Sequence, residues 1–141
     1  MFRGRHRSRF RGVGVPIGLL ICLCVHGGCS KSERIGVHGR VTRNDGTPVV
    51  GAQVIFRSAG TGRTATGFTD ADGHYSLGTG QAGEGVLPDG YYVTVSEDRG
   101  TEGAVKPATV NDKYSRPNDS GLRFKVEPSG ESTFDMVLDP P

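Results

Sequence analysis

Tryptophan is absent, and the 141-residue chain holds three cysteines, Cys22, Cys24 and Cys29. No cysteine lies beyond residue 29, which excludes an internal disulfide or a cysteine-ligated zinc centre from the body of the chain. Apolar residues make up only 34%. Globular chains hold ~45–50%, and no long apolar run follows residue 25, so a polytopic membrane protein is excluded. No segment repeats its apolar residues at helical spacing, which excludes a coiled coil. The 23 glycines have no period of three, which excludes collagen. The length is that of one domain and too short for a multi-domain enzyme. Acidic residues are missing from positions 1–29, where Arg3, Arg5, Arg7, Arg9 and Arg11 cluster. Beyond that point 12 basic and 15 acidic residues give a net charge of −3. The excess positive charge is therefore confined to a leader, and no nucleic-acid partner is expected.

The leader continues into an apolar run at residues 13–25, VGVPIGLLICLCV, followed by His26-Gly27-Gly28-Cys29-Ser30. A basic start, a short apolar run and small residues near a cleavage point are the parts of a secretory signal. Thirteen residues span about 20 Å as a helix, short of the ~30 Å hydrocarbon core. The Gly27-Gly28-Cys29 ending resembles a bacterial lipoprotein signal, in which the cysteine is lipidated and becomes the first residue. His26 stands at −3, where such signals carry an aliphatic residue. Ordinary cleavage nearby and retention of the leader as an anchor are the alternatives. The resemblance implies an exported, envelope-located, membrane-tethered protein. Ser30, in place of a retaining aspartate, implies the outer rather than the inner membrane. The expected division is a signal segment at 1–28, a tether at 29–35 and a folded domain at 36–139.

Within the domain, apolar residues alternate with polar ones at period two. The runs centre on Val37–Val41, Ala52–Phe56, Thr64–Phe68, Tyr75–Leu77, Tyr91–Val95, Leu122–Val126 and Phe134–Leu138. Asn44-Asp45-Gly46, Asp70-Ala71-Asp72-Gly73, Pro88-Asp89-Gly90 and Pro128-Ser129-Gly130 separate them with residues suited to tight turns. Seven short runs predict an all-β, seven-stranded antiparallel sandwich. The expected core anchors are Val41, Val54, Phe56, Phe68, Tyr75, Leu77, Val93, Val95, Leu122, Phe124, Phe134 and Met136. Residues 98–120 read as a long loop, the place to look for a binding surface.

The motif order resembles that of the carboxypeptidase regulatory-like domain. Gly39-Arg40-Val41 followed by Gly46-Thr47-Pro48-Val49-Val50-Gly51-Ala52-Gln53-Val54 matches its opening. Thr69-Asp70-Ala71-Asp72-Gly73-His74-Tyr75-Ser76-Leu77 matches its second signature, and Gly90-Tyr91 with Val93 and Val95 its third. The resemblance implies a transthyretin-like or immunoglobulin-like sandwich without catalysis of its own, used as a structural or interaction module.

Candidate chemistry is sparse. Asp70 and Asp72 open an EF-hand-like D-x-D pattern but lack the remaining ligands, so they read as a hairpin turn and no metal is expected. His38 and His74 are too few for a zinc site and are expected at the surface. No nucleophile elbow is present, so no enzyme activity and no cofactor are expected. Tyr91 and Tyr92 are adjacent, so only one faces the core; Tyr92 is expected outside. Tyr92, together with Lys113 and Tyr114, is the candidate binding surface. A carbohydrate- or cell-wall-binding module is the alternative to a structural or protein-interaction role. A monomer is expected.

Overall fold

The computed structural model describes residues 33–101 and 105–141. Residues 31–141 form a compact unit of their own. Its strands are β1 (Val37–Arg43), β2 (Gln53–Ser58), β3 (Thr64–Phe68), β4 (His74–Ser76), β5 (Asp89–Ser96), β6 (Leu122–Val126), β7 (Ser132–Thr133) and β8 (Met136–Leu138). They form two sheets: β4-β1-β7 with β8 also on β1, and β3-β2-β5-β6. The expected all-β sandwich is thus present. A short 3-10 helix at Asp112–Ser115 is the one helical element among the described residues.

The turns follow from their residues. At the end of β1, Gly46 takes φ +82°, and the Asp45 carboxylate accepts the Thr47 N–H at 2.8 Å. Where the chain leaves β3 to return to the first sheet, the Thr69 Oγ1 accepts the buried Ala52 N–H at 2.8 Å and ties the two crossings together.

The last run differs from a single antiparallel strand. It divides into β7 and β8, and both lie parallel to β1. The division has a polar cause. The Phe134 carbonyl turns inward and accepts the Tyr75 hydroxyl at 2.7 Å, while Asp135 Oδ1 accepts the Arg40 N–H at 2.8 Å. The Asp135 carboxylate thereby takes the place of a ladder carbonyl. Gly39 permits this approach: a Cβ there would lie 2.0 Å from the Phe134 oxygen. Burial, with Asp135 nearby, pushes the Tyr75 hydroxyl far above the ordinary tyrosine range, so it stays protonated and donating.

Phe56 occupies the centre of the sandwich and is fully buried. Its ring lies 5.8–6.4 Å from those of Tyr91, Phe124, Phe134 and Tyr75. These rings belong to β5, β6, the β7–β8 junction and β4, so one side chain links both sheets. Phe124 and Phe134 stack at 4.6 Å and are partly buried. They close the open side between β6 and the β7–β8 junction.

Phe68 departs from the expected core: it is 64% exposed. Ala65 and Gly67, not Thr64, Thr66 and Phe68, face inward from β3. Gly67 pairs with Val54, and Ala65 with Phe56. The reason is steric. A Cβ at Gly67 would sit 2.6 Å from the Ser76 carbonyl oxygen, so the inward face of β3 admits only small residues. A one-residue slip that buried Phe68 would expose every inward residue of the strand.

Phe56→Ala is therefore expected to cost about 3–5 kcal/mol, and Phe68→Ala no more than ~0.5 kcal/mol. Urea unfolding of the two variants measures both; a large loss for Phe68→Ala would contradict this register.

Candidate functional site

Cys29, the expected lipidation site, lies outside the described residues. The chain becomes anchored at Ile35, which is buried and exchanges hydrogen bonds of 2.7 and 2.9 Å with Val86. Beside it, the Arg34 guanidinium donates to the Thr79 hydroxyl and lies 3.9 Å from Glu84. This entry pole also holds the β2–β3 hairpin and Asp89. The Asp89 carboxylate accepts from the Ser58 hydroxyl and from the backbone N–H groups of Gly90 and Gly60. Those bonds, led by the Ser58 hydroxyl, hold its carboxyl below the usual range.

The opposite pole carries residues 98–101 and 105–120. Lys113 and Tyr114 do not form an open contact surface. Tyr114 is buried, and its hydroxyl donates to Asp139 Oδ2 at 2.9 Å and accepts the Asp139 N–H at 3.1 Å. Lys113 Nζ sits 2.8 Å from the same carboxylate and 4.8 Å above the Tyr114 ring. The Glu97 carboxylate accepts the N–H groups of Thr109 and Val110 at 2.9 and 3.3 Å. Val110 enters the core, and the Ser120 hydroxyl donates to the Val93 carbonyl at 2.7 Å. The described part of this segment is thus clamped to β5 and to the chain end. Its lack of period-two patterning hid Val110 and Tyr114 as anchors.

Asp70 and Asp72 form the turn between β3 and β4, which belong to different sheets, rather than a hairpin of paired strands. Asp70 Oδ1 accepts from the N–H groups of Asp72 and His74, both at 2.9 Å, and Gly73 takes φ +81°. The His74 N–H leads the effects that lower the Asp70 carboxyl. One Asp70 oxygen is thus committed to the backbone. Among the described residues no three His, Cys, Asp or Glu side chains gather as a metal site. His74 is exposed, and His38 Nε2 lies 3.1 Å from the Thr133 hydroxyl.

Tyr92 does lie on the outer face of the β3-β2-β5-β6 sheet, 37% exposed. Register places Arg57 of β2 and Arg123 of β6 on either side of it. The Arg123 guanidinium carbon stands 4.4 Å from the Tyr92 ring centroid, a cation–π distance. Thr66 and Ile55 precede Thr94 in the next row, and Phe68 and Gln53 precede Ser96 in the one beyond. Alternation along the four strands turns no acidic side chain onto this face. A groove of about 680 Å³ runs along its β3 edge, with Phe68, Thr64, Asp70, His74 and Gln81 in its wall. The sequence reading missed Phe68 and both arginines. Ala65 and Gly67, small residues opposite Val54 and Phe56, were the available signal.

Asp139, Asp89, Asp70, Asp45 and Glu84 are all held below their usual range by hydrogen bonds. A lowered folded-state carboxyl contributes stability that is present above its unfolded value, ~4, and is lost as pH falls through the folded value. The melting temperature is expected to fall progressively below about pH 4, and less steeply in Asp139→Asn. Calorimetry across pH 2–6 checks this; a rise on acidification would contradict it.

Among the described residues no helix is long and apolar enough to cross a membrane. Searches of curated proteins and of solved structures found no match. A family model, that of the carboxypeptidase regulatory-like domain, matches residues 36–127. That domain is a regulatory, non-catalytic immunoglobulin-like fold. The matched span runs from the residue before β1 through β6, and β7 and β8 complete the first sheet beyond it. With most of its length in that match and both sheets of the sandwich in place, the chain belongs to the carboxypeptidase regulatory-like domain family.

Proposed function

We propose that this protein is an exported, lipid-anchored envelope protein that presents a non-catalytic sandwich as a structural or interaction module. The observation that carries the reading is the placing of Cys29. It follows two glycines at the end of the apolar run and precedes by six residues the point where Ile35 joins the core. Six residues span at most ~20 Å, enough to seat the domain directly on a membrane surface by its entry pole. One acyl chain gives only marginal binding, whereas two or more hold a protein stably. The opposite pole, with the 3-10 helix at Asp112–Ser115, then faces away from the bilayer, toward envelope partners. Ser30 favours the outer membrane for this tether. The second reading, a carbohydrate- or cell-wall-binding module, is favoured by the half-open Tyr92 between Arg57 and Arg123 on the outer sheet face.

The test is the intact mass of the detergent-extracted protein made in a lipoprotein-processing bacterium, beside Cys29→Ala. The reading expects a chain that starts at Cys29 and carries acyl mass absent from the variant. A chain unmodified at Cys29 would overturn the anchor, whether or not the leader had been removed.

A further inference from the structure

We propose that the outer face of the β3-β2-β5-β6 sheet binds a carboxylate-bearing polysaccharide, gripped by Arg57 and Arg123 on either side of Tyr92. The inference rests on the second reading, a carbohydrate-binding module, and names its ligand class; it does not require lipidation of Cys29.

The first argument is charge. Beyond the leader, acids outnumber bases by three, yet within the four strands none is turned onto this face; Glu127, just past β6, is paired with Lys125 at 2.8 Å. Arg34, Arg43, Arg99, Lys113, Arg116 and Lys125 each have a carboxylate within 4.0 Å. Among the described residues, Arg57 and Arg123 have none, as is also true of Arg40, Arg63 and Lys106, but these two flank one exposed aromatic ring. Their charges are left for an external anion, and guanidinium favours carboxylate because its planar fork matches both oxygens.

The second argument is geometry. Arg57 and Arg123 lie on strands flanking β5, about 10 Å apart at the strand spacing of a sheet. They can therefore engage successive acidic groups of a polymer that crosses the strands. Arg123 is already held over the Tyr92 ring, so less side-chain freedom is lost on binding. The stacked guanidinium keeps N–H donors at its edge for the ligand.

The third argument is the company these charges keep. Thr64 lies in the same row as Arg57, and Thr66 and Gln53 in the next two. Hydroxyl and amide side chains on a flat sheet suit the hydroxyl groups of a sugar chain. An anionic lipid surface would need only the cations and would leave these hydroxyl and amide groups without a role.

The test uses residues 31–141, the self-contained unit without leader or Cys29, in native gels containing polygalacturonate or neutral dextran. The expected result is retardation by polygalacturonate only. Arg57→Gln/Arg123→Gln should weaken it on the order of tenfold, with the melting temperature unchanged because both side chains lie on the outer face. Arg99→Gln/Arg116→Gln removes the same charge elsewhere and should leave affinity within about twofold, the range of a screened net-charge effect. The proposal is overturned by absent retardation, by equal loss in both double variants, by dextran binding that survives Arg57→Gln/Arg123→Gln, or by tighter binding to phosphatidylglycerol vesicles than to polygalacturonate.

Discussion

The Phe56 ring is the contact on which the two sheets depend. It projects from β2 in one sheet and meets Tyr75 and Phe134 of the other, with Tyr91 and Phe124 beside it. Aromatic side chains bury the largest areas available to a small core, and this domain has no tryptophan to share the task. The polar handles of the cluster are satisfied within it. The Tyr75 hydroxyl donates to the Phe134 carbonyl, and the Tyr91 hydroxyl donates to the Leu87 carbonyl at 2.7 Å. The Tyr75 bond also shapes the chain, since the inward turn of Phe134 divides β7 from β8. Gly39 leaves room for that carbonyl. One buried ring, one buried hydroxyl and one missing Cβ therefore set how the last strand joins the first.

The inward side of the strands was legible wherever large apolar residues marked it. Val41, Val54, Phe56, Val93 and Val95 lie where period-two alternation puts them. The rule failed on β3 because it follows hydrophobicity, whereas the inward positions of β3 are fixed by room. Ala65 and Gly67 are the only residues of that strand small enough to pass Ser76 and Leu77, so Phe68 faces solvent. It failed again in residues 98–120, where Val110 and Tyr114 act singly and leave no repeating pattern. The parallel pairing of the last strands with β1 is non-local, and no short-range signal in the chain specifies it.

The candidate surface was legible only in part. Tyr92 followed from its adjacency to the buried Tyr91. Its flanking arginines required the pairing register, because Arg57, Tyr92 and Arg123 are neighbours through two antiparallel ladders and not along the chain. Tyr114 looked like a contact point because it stands beside Lys113 in a polar stretch. The carboxylate that recruits both, Asp139, lies 25 residues further on. The resulting domain has three separate regions: an entry pole around Ile35, a clamped pole at the far end, and a sheet face between them that carries Arg57, Tyr92 and Arg123.

The central claim is that the aromatic cluster makes the two sheets one cooperative unit. Native-state hydrogen exchange tests it most directly, through the amides of β1, β2 and β5. The account predicts that the slowest amides of both sheets exchange with the same free energy of opening, equal to that of global unfolding. It also predicts that Phe56→Leu lowers all of them together. Separate opening energies for the β1 sheet and the β2-β5 sheet, with only one of them altered by Phe56→Leu, would contradict it.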